Sequence, residues 1–287
     1  MKFSIHIHNF GLFSDPRVIG QLAKAADDAG WEAVFVADHL QSHWQGEQKP
    51  IADPWVAMTV IAMSTTRCKF GPMVTPLSRR RPWQLTSEIV TLDRLSNGRL
   101  ILGVGSGTGI SSSFTPFNEE PDARRRAELM EESLDIMTGF WTGEPVTYAG
   151  QHFNVDNARF LPTPVQKPRV PIWVAGHWPH KRPFRRAAHW DGVFIDGPGV
   201  DWMKGEIISQ QDFRDSMGYT LDHRRELGIT GPFDVVIGGH TPNMDRAAES
   251  LKPYADLGAT WWVEAIMEGF HGVDEALALI RRGPPRL

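Results

Sequence analysis

Asp38-His39 is the pair in this chain whose residue types suit proton chemistry. An imidazole titrates near neutral pH, so its ring can give or take a proton, or hold a substrate oxygen. A carboxylate beside it can orient the ring. The same pair also fits a turn cap followed by a backbone-satisfied histidine, so its position in the fold matters. Gly105-Ser106-Gly107 is the second feature, because glycines let backbone N–H groups approach a ligand closely. The basic run Ser78-Arg79-Arg80-Arg81 is the third. Its charge suits an anion, and equally a solvated face.

The elements that must position these residues centre on Phe70–Gly107. Cys68–Val74 reads as a buried strand, Thr75–Arg81 as a basic loop, and Pro82 as the first turn of a helix. Trp83, Ile89, Val90, Leu92 and Leu95 carry the helical spacing. Ser96-Asn97-Gly98 stops that helix, and Arg99–Val104 is the next buried strand. This is one strand–helix–strand unit of a parallel sheet.

The alternation extends to both sides. Strands are expected at Lys2–Ile7, Ala33–Val36, Ile172–Ala175, Gly192–Ile195, Asp234–Ile237 and Thr260–Val263 or slightly beyond. Asp15-Pro16 and Asp53-Pro54 each read as a cap plus first-turn proline, opening helices that run to Ala29 and Ser64. Further helices are expected at Asp122–Trp141, Lys181–Trp190, much of Val200–Leu227, Asn243–Leu257 and Val273–Arg282. Leu40–Ala52 reads as a polar and aromatic loop, and the stretch from Gly107 through Ser111-Ser112-Ser113 to Pro121 as a mobile one. Thr142–Pro171 is an excursion with a hairpin at Tyr148–Phe153.

Eight strands alternating with eight helices predict an α/β fold, a (β/α)₈ TIM barrel with an excursion between strands 4 and 5, in one domain over residues 1–287. A doubly wound sheet would want a Gly-rich turn after strand 1, which is missing. A barrel's site lies at the strand C-terminal ends. That gathers His8, Asp38, His39, Val74, Thr75, Gly105, Ser106, Gly107, Gly176, His177, Asp196 and Gly238 around one mouth.

The 287 residues carry a net charge of -4, which argues against a nucleic-acid footprint. A single cysteine, Cys68, precludes an internal disulfide and reads as a buried, inert thiol. With neither a signal-peptide run nor an apolar membrane span, a cytoplasmic protein is expected. Eleven Trp stand against three Tyr. Those at 44, 55, 83, 173 and 178 fall in expected loops, which suggests an aromatic-lined pocket.

The run Gly30–His39, then Thr91–Arg99, Gly103–Gly107, Phe140–Glu144 and Pro171–Gly176 together resemble the bacterial-luciferase-like monooxygenase superfamily, TIM-barrel enzymes that use FMN or the deazaflavin F420. Asp38-His39 resembles the F420-dependent branch. The resemblance implies an oxidoreductase exchanging hydride between F420 and a small organic substrate. FMN is the alternative cofactor, for a two-component monooxygenase fed by a separate reductase. It implies catalytic roles for His39 and Asp38, and a non-prolyl cis peptide at Met73–Val74 behind the cofactor ring. It places Asp38, Met73, Val74, Thr75, Gly105, Ser106, Gly107, Ala175, Gly176 and His177 against the cofactor, and His8, Trp44 and Thr108 toward substrate. A homodimer is implied as well. In the sugar-phosphate dehydrogenase branch an acidic proton donor follows the Gly-rich turn. Thr108 stands there instead, which argues against that chemistry.

Two other functions compete. His6-Ile7-His8 puts two imidazoles on one side of a strand, similar to the metal pair of barrel amidohydrolases. His177 could add a ligand, but strand 6 ends in Asp196 and strand 8 offers only Glu264. A non-catalytic ligand-binding barrel is the third reading, disfavoured by Asp38-His39 at the mouth.

Overall fold

The structure, a computed structural model, describes residues 1–44, 47–108 and 113–287, without the side chains at 43, 44 and 203. Strands β1 (Lys2–Ile7) and β2 (Ala33–Val36) are joined by helix α1 (Pro16–Ala29). The Asp15 carboxylate accepts the Arg17 N–H at its start, and Gly30 ends it in the left-handed region at φ 93°. The stretch after β2 holds a small hairpin, β3 (Ser42–Trp44) and β4 (Glu47–Lys49), where a plain loop was expected. Asp53 caps α2 (Pro54–Ser64) by accepting the Trp55 and Val56 N–H groups at 3.0 and 2.9 Å.

Strand 3 is broken into β5 (Lys69–Pro72) and β6 (Thr75–Pro76) at Met73–Val74, whose peptide is cis. Helix α3 (Pro82–Leu95), β7 (Leu102–Gly105) and α4 (Ala123–Trp141) follow. The excursion pairs β8 (Val146–Ala149) with β9 (Asn154–Ala158), a wider hairpin than expected. Phe153 and Val155 pack it onto Ile136 and Phe140 of α4. The barrel resumes with β10 (Ile172–His177), α5 (Lys181–Ala187), β11 (Gly192–Asp196), α6 (Gln210–Glu226), β12 (Asp234–Gly239), α7 (Ala247–Asp256), β13 (Trp261–Ile266) and α8 (Val273–Arg281).

The parallel sheet runs β5-β2-β1-β13-β12-β11-β10-β7-β6. Because β5 and β6 are halves of one strand, eight barrel strands result. The ring closes where the Phe70 N–H donates to the Arg99 carbonyl at 3.1 Å and the Ile101 N–H to the Phe70 carbonyl at 2.8 Å. Close approach there requires glycine. A Cβ on Gly71 would overlap the Ile101 carbonyl, and one on Gly103 the Pro72 carbonyl.

Side chains alternate along each strand. Phe35, Met73, Ile101, Trp173, Val236, Trp261 and Val263 fill the barrel interior, while Ile5, Ile7, Val34, Leu102, Val104 and Val174 face the helices. Trp173 is therefore no loop residue. It stands on an inward position of β10, 5.1 Å from Trp261 and 5.5 Å from Phe35. Residues 200–209 are not helical beyond one turn at Trp202–Lys204; α6 starts only where Ser209 accepts the Asp212 N–H. Strands β10 and β12 each outrun their expected ends by two residues, and β13 runs beyond Val263 to Ile266. Gly176 and His177 are thus strand residues rather than the start of a loop.

Candidate active site

A cavity of about 860 Å³ opens at the C-terminal ends of the strands. Its wall includes Asp38, His39, Met73, Val74, Gly105, Ser106, Gly107, Thr108, Ala175, Gly176, His177, Phe194 and Asp196. Most of the residues expected at the mouth therefore share one space. Their smallness at β7 and β10 makes the room. Gly105 and Ala175 face inward, and a Cβ on Gly105 would come within 2.9 Å of Val74 Cγ2.

Asp38 lies two residues past the end of β2 and is buried. Its carboxylate accepts from the Thr75 hydroxyl, from Arg80 Nε at 3.0 Å and from Arg79 Nη2 at 3.2 Å. Arg79 also donates to the Asp38 carbonyl at 2.9 Å. Thr75 has no place in the cavity wall, since its hydroxyl is spent on Asp38 and Arg80. The basic loop is neither a solvated face nor a free anion trap. Arg79 and Arg80 turn inward onto one carboxylate, and only Arg81 of the three is exposed.

His39 follows, half-buried, on the cavity wall. No hydrogen bond to its ring occurs among the described residues, so Asp38 does not orient it directly. Burial pushes the His39 pKa down, the nearby Arg79 charge adds to that, and Asp38 opposes it. The ring is neutral at pH 7, with one nitrogen able to accept a proton.

Arg79 Nε and Nη1 and the Ser113 hydroxyl are buried without partners, and both residues line the cavity. Phe114 lies between the Arg79 and Arg126 guanidiniums, 5.3 and 5.1 Å from its centre, and packs on Gly107, whose φ is +96°. Arg126 Nε donates to the Ser106 carbonyl at 3.0 Å. Arg79, Arg124, Lys181, Arg182 and Arg186 line the cavity against only Asp38 and Asp196. Arg182 makes no ion pair among the described residues. Arg79 is paired with Asp38, Arg124 with Glu128 and Arg186 with Glu131, which leaves Lys181 and Arg182 as the cations that suit an anionic ligand. The Lys181-Arg182 run and Arg124 could have been read from the sequence as this rim; Phe194, Ser113 and His180 carried no such signal.

Other expected residues lie elsewhere. His8 directly follows β1, beside His6, their ring centres 4.5 Å apart, outside the cavity wall. Trp44's side chain lies outside the described residues, as do Ser111 and Ser112. Trp55, Trp83, Trp173 and Trp178 do not line the cavity, whose aromatic wall is Phe194. Among the described residues no three His, Cys, Asp or Glu side chains gather where a metal ion could be held. Cys68 is buried, its pKa pushed up to about 12, chiefly by burial.

A closed parallel barrel with a cation-rimmed cleft at its strand ends defines a TIM-barrel protein with an enzyme-type ligand site. Residues 4–207 match the Luciferase-like monooxygenase family, and the chain belongs to it. It is 34% identical to an F420-dependent glucose-6-phosphate dehydrogenase of Microbacterium testaceum, over 82% of this chain and 68% of that one. Of two further relatives bearing that name, the chain spans 57% and 71% of the length. Its fold is similar to the EDTA monooxygenase of Chelativorans (TM-score 0.78, 15% identity, 98% of this chain and 93% of that one). It is also similar to the coenzyme F420 dependent tetrahydromethanopterin reductase of Methanopyrus kandleri (TM-score 0.75, 17% identity, 98% of each chain). No helix among the described residues is long and apolar enough to cross a membrane.

Proposed function

We propose that this protein is an F420-dependent oxidoreductase that moves hydride between the deazaflavin and a small organic substrate. The observation that carries this reading is the cleft itself: small residues at its base, unpartnered buried donors on Arg79 and Ser113, and a cationic rim. Those features suit a flat ring bearing a phosphate and an acidic tail. Met73, Val74, Gly105 and Ala175 would hold the ring. Ser106, Gly107, Gly176 and His177 would hold the chain beyond it, with Lys181 and Arg182 toward the tail. Bound there, F420 supplies a two-electron hydride carrier.

The protein's own contribution is proton transfer and placement. A neutral His39 nitrogen takes the proton of a substrate hydroxyl, or its conjugate acid returns one in the reverse direction. Asp38 acts through position, anchoring the turn that carries His39 by way of Thr75, Arg79 and Arg80. Thr108 lines the cleft where a carboxylate would serve a sugar-phosphate dehydrogenase, so a different substrate is favoured. Lacking a nicotinamide-binding glycine fingerprint, the chain would depend on a separate enzyme to recharge its cofactor.

The whole chain, residues 1–287, acts as one catalytic domain in this reading, in the cytoplasm, where a lone reduced cysteine is at home. It pairs with a second copy through α2. That helix is apolar all round, and Val56, Val60 and Met63 form an outer stripe with Val56 and Met63 58% and 69% exposed.

Titration of the purified protein with F420 and with FMN, followed by tryptophan fluorescence, tests the cofactor. Tight F420 binding that weakens with salt and in Arg182→Glu is expected. Tighter binding of FMN would overturn the reading in favour of a monooxygenase.

A further inference from the structure

The mouth has a second side, built by β1, β13 and the turn at Trp202, that the reading above leaves unused. Alternation along β1 sends Ile5 and Ile7 to the helices and Ser4 and His6 inward, and His8, just past the strand with its N–H on the Ile266 carbonyl at 2.9 Å, follows His6. Ser4 is satisfied by the Trp262 carbonyl at 3.0 Å. His6 is held less well: it is 5% exposed, and its ring makes no close hydrogen bond, only a weak one toward the Val36 backbone. His8 Nε2 is buried and unpartnered. Trp202 roofs both rings, at 5.9 Å from His6 and 6.0 Å from His8. It can do so because Gly238 has no Cβ: one placed there would stand 2.9 Å from the indole.

This wall adjoins the cleft at two points. Phe194 lines the cleft and meets Trp202 edge-on at 6.2 Å. His39 lines it too, and is close enough that its charge would oppose protonation of His6 and His8. The flanks are apolar, with Phe10 5.4 Å from His8. The cleft's five Lys and Arg residues come from positions 79 to 186, none from β1, β12 or β13.

We propose that His8, backed by His6 and roofed by Trp202, is the substrate's side of the mouth, and that it receives the oxygen of a neutral alcohol or ketone on an apolar or aromatic body. A neutral imidazole offers one donor and one acceptor. The acceptor nitrogen serves a hydroxyl and the N–H serves a carbonyl, so one wall fits both members of a redox pair. Burial holds both rings neutral, His8 most plainly with its pKa lowered to about 3, so an anion would be desolvated there without a cation to meet it. A sugar phosphate is therefore disfavoured at this wall.

The inference rests on the F420 reading, and its test separates the two. F420 is titrated first into the unaltered protein, His8→Phe, His8→Asn and Trp202→Ala. Binding of 1-phenylethanol to each F420-loaded protein is then measured by calorimetry, with glucose 6-phosphate as competitor. We expect F420 affinity within threefold in all four, 1-phenylethanol binding weakened at least tenfold in His8→Phe and in Trp202→Ala, and most of it kept in His8→Asn, which retains a donor and an acceptor. Glucose 6-phosphate should not compete. Unchanged alcohol affinity in His8→Phe and Trp202→Ala, competition by the sugar phosphate, or F420 binding with no alcohol binding overturns this inference alone. Failure of the unaltered protein to bind F420 overturns the cofactor reading and this inference with it.

Discussion

On the side of β2, β6, β7 and β10 the barrel mouth is open and cationic, while on the side of β12, β13 and β1 it is roofed by Trp202 and holds neutral imidazoles. Each side also carries a buried carboxylate, and the partners differ in kind. Asp38 is met by two guanidiniums and a hydroxyl. Glu264 is fully buried and met by the Thr241 N–H at 2.7 Å, the Thr241 hydroxyl at 2.6 Å and Trp262 Nε1 at 2.8 Å, with His240 beside it at 3.2 Å. The contrast assigns the sides different work. Where the chain spends charge it leaves surplus cation for an anionic ligand. Where it meets the carboxylate with neutral donors no cation is left over, which disfavours an anion and suits an uncharged molecule.

The largest effect is expected at the point where the sides meet. His39→Ala should lower turnover by about 10²–10⁴-fold, the range for a lost general acid–base group, while F420 affinity stays within a few-fold. Steady-state kinetics with a fluorescence titration would check this, and unchanged turnover would remove His39 from proton transfer. Because the His39 pKa is lowered, its basic form persists below the ordinary imidazole value. The acid limb of the kcat/KM profile for substrate oxidation should therefore lie below pH 6.5.

Next comes the charged side. Asp38→Asn leaves two inward guanidiniums without their carboxylate, and should destabilise the fold by about 3–5 kcal/mol, the cost of breaking a buried pair. Urea unfolding would measure it; a loss under 1 kcal/mol would show that Arg79 and Arg80 find other partners.

The neutral side predicts a pH effect of opposite origin. His6 and His8 are held neutral in the fold, whereas the unfolded chain takes up protons once the pH falls below 6.5. Their contribution to stability is thus complete above that pH and declines on acidification toward about 3, where His8 itself titrates. The slope is about 1.4 kcal/mol per pH unit for each ring. His8→Phe should remove one ring's share of it between pH 6 and 4.5, and an unaltered slope would place the acid sensitivity elsewhere.

The smallest expected effect lies away from the mouth. Met63→Glu on α2 should convert a dimer to a monomer in analytical ultracentrifugation with little change in F420 affinity. A monomeric unaltered protein would dispose of the α2 interface.

Much of the fold is legible locally. Asp15-Pro16, Asp53-Pro54 and Pro82 mark helix starts because capping and proline's fixed φ act within one turn. Asp38, His39, Gly105 and Gly107 are legible as mouth residues because a parallel barrel presents every strand end on one face. Trp173 lies inside an expected strand, but a short apolar run does not reveal which residues of a strand point inward rather than toward a pocket. The work of Arg79 and Arg80 was hidden for another reason: a basic run reads alike whether it faces water or a carboxylate 41 residues away.

The sequence by itself determined the strand–helix alternation, the proline-marked helix starts and most of the residues at the mouth, since periodicity and capping are short-range. Only the tertiary structure decided how those residues divide. It turned Arg79 onto Asp38, took Thr75 out of the cavity wall, and laid Trp202 across His6 and His8 in the space left by Gly238. Such pairings depend on which distant side chains share a buried, weakly screening space, and nothing within a few residues of any of them encodes that.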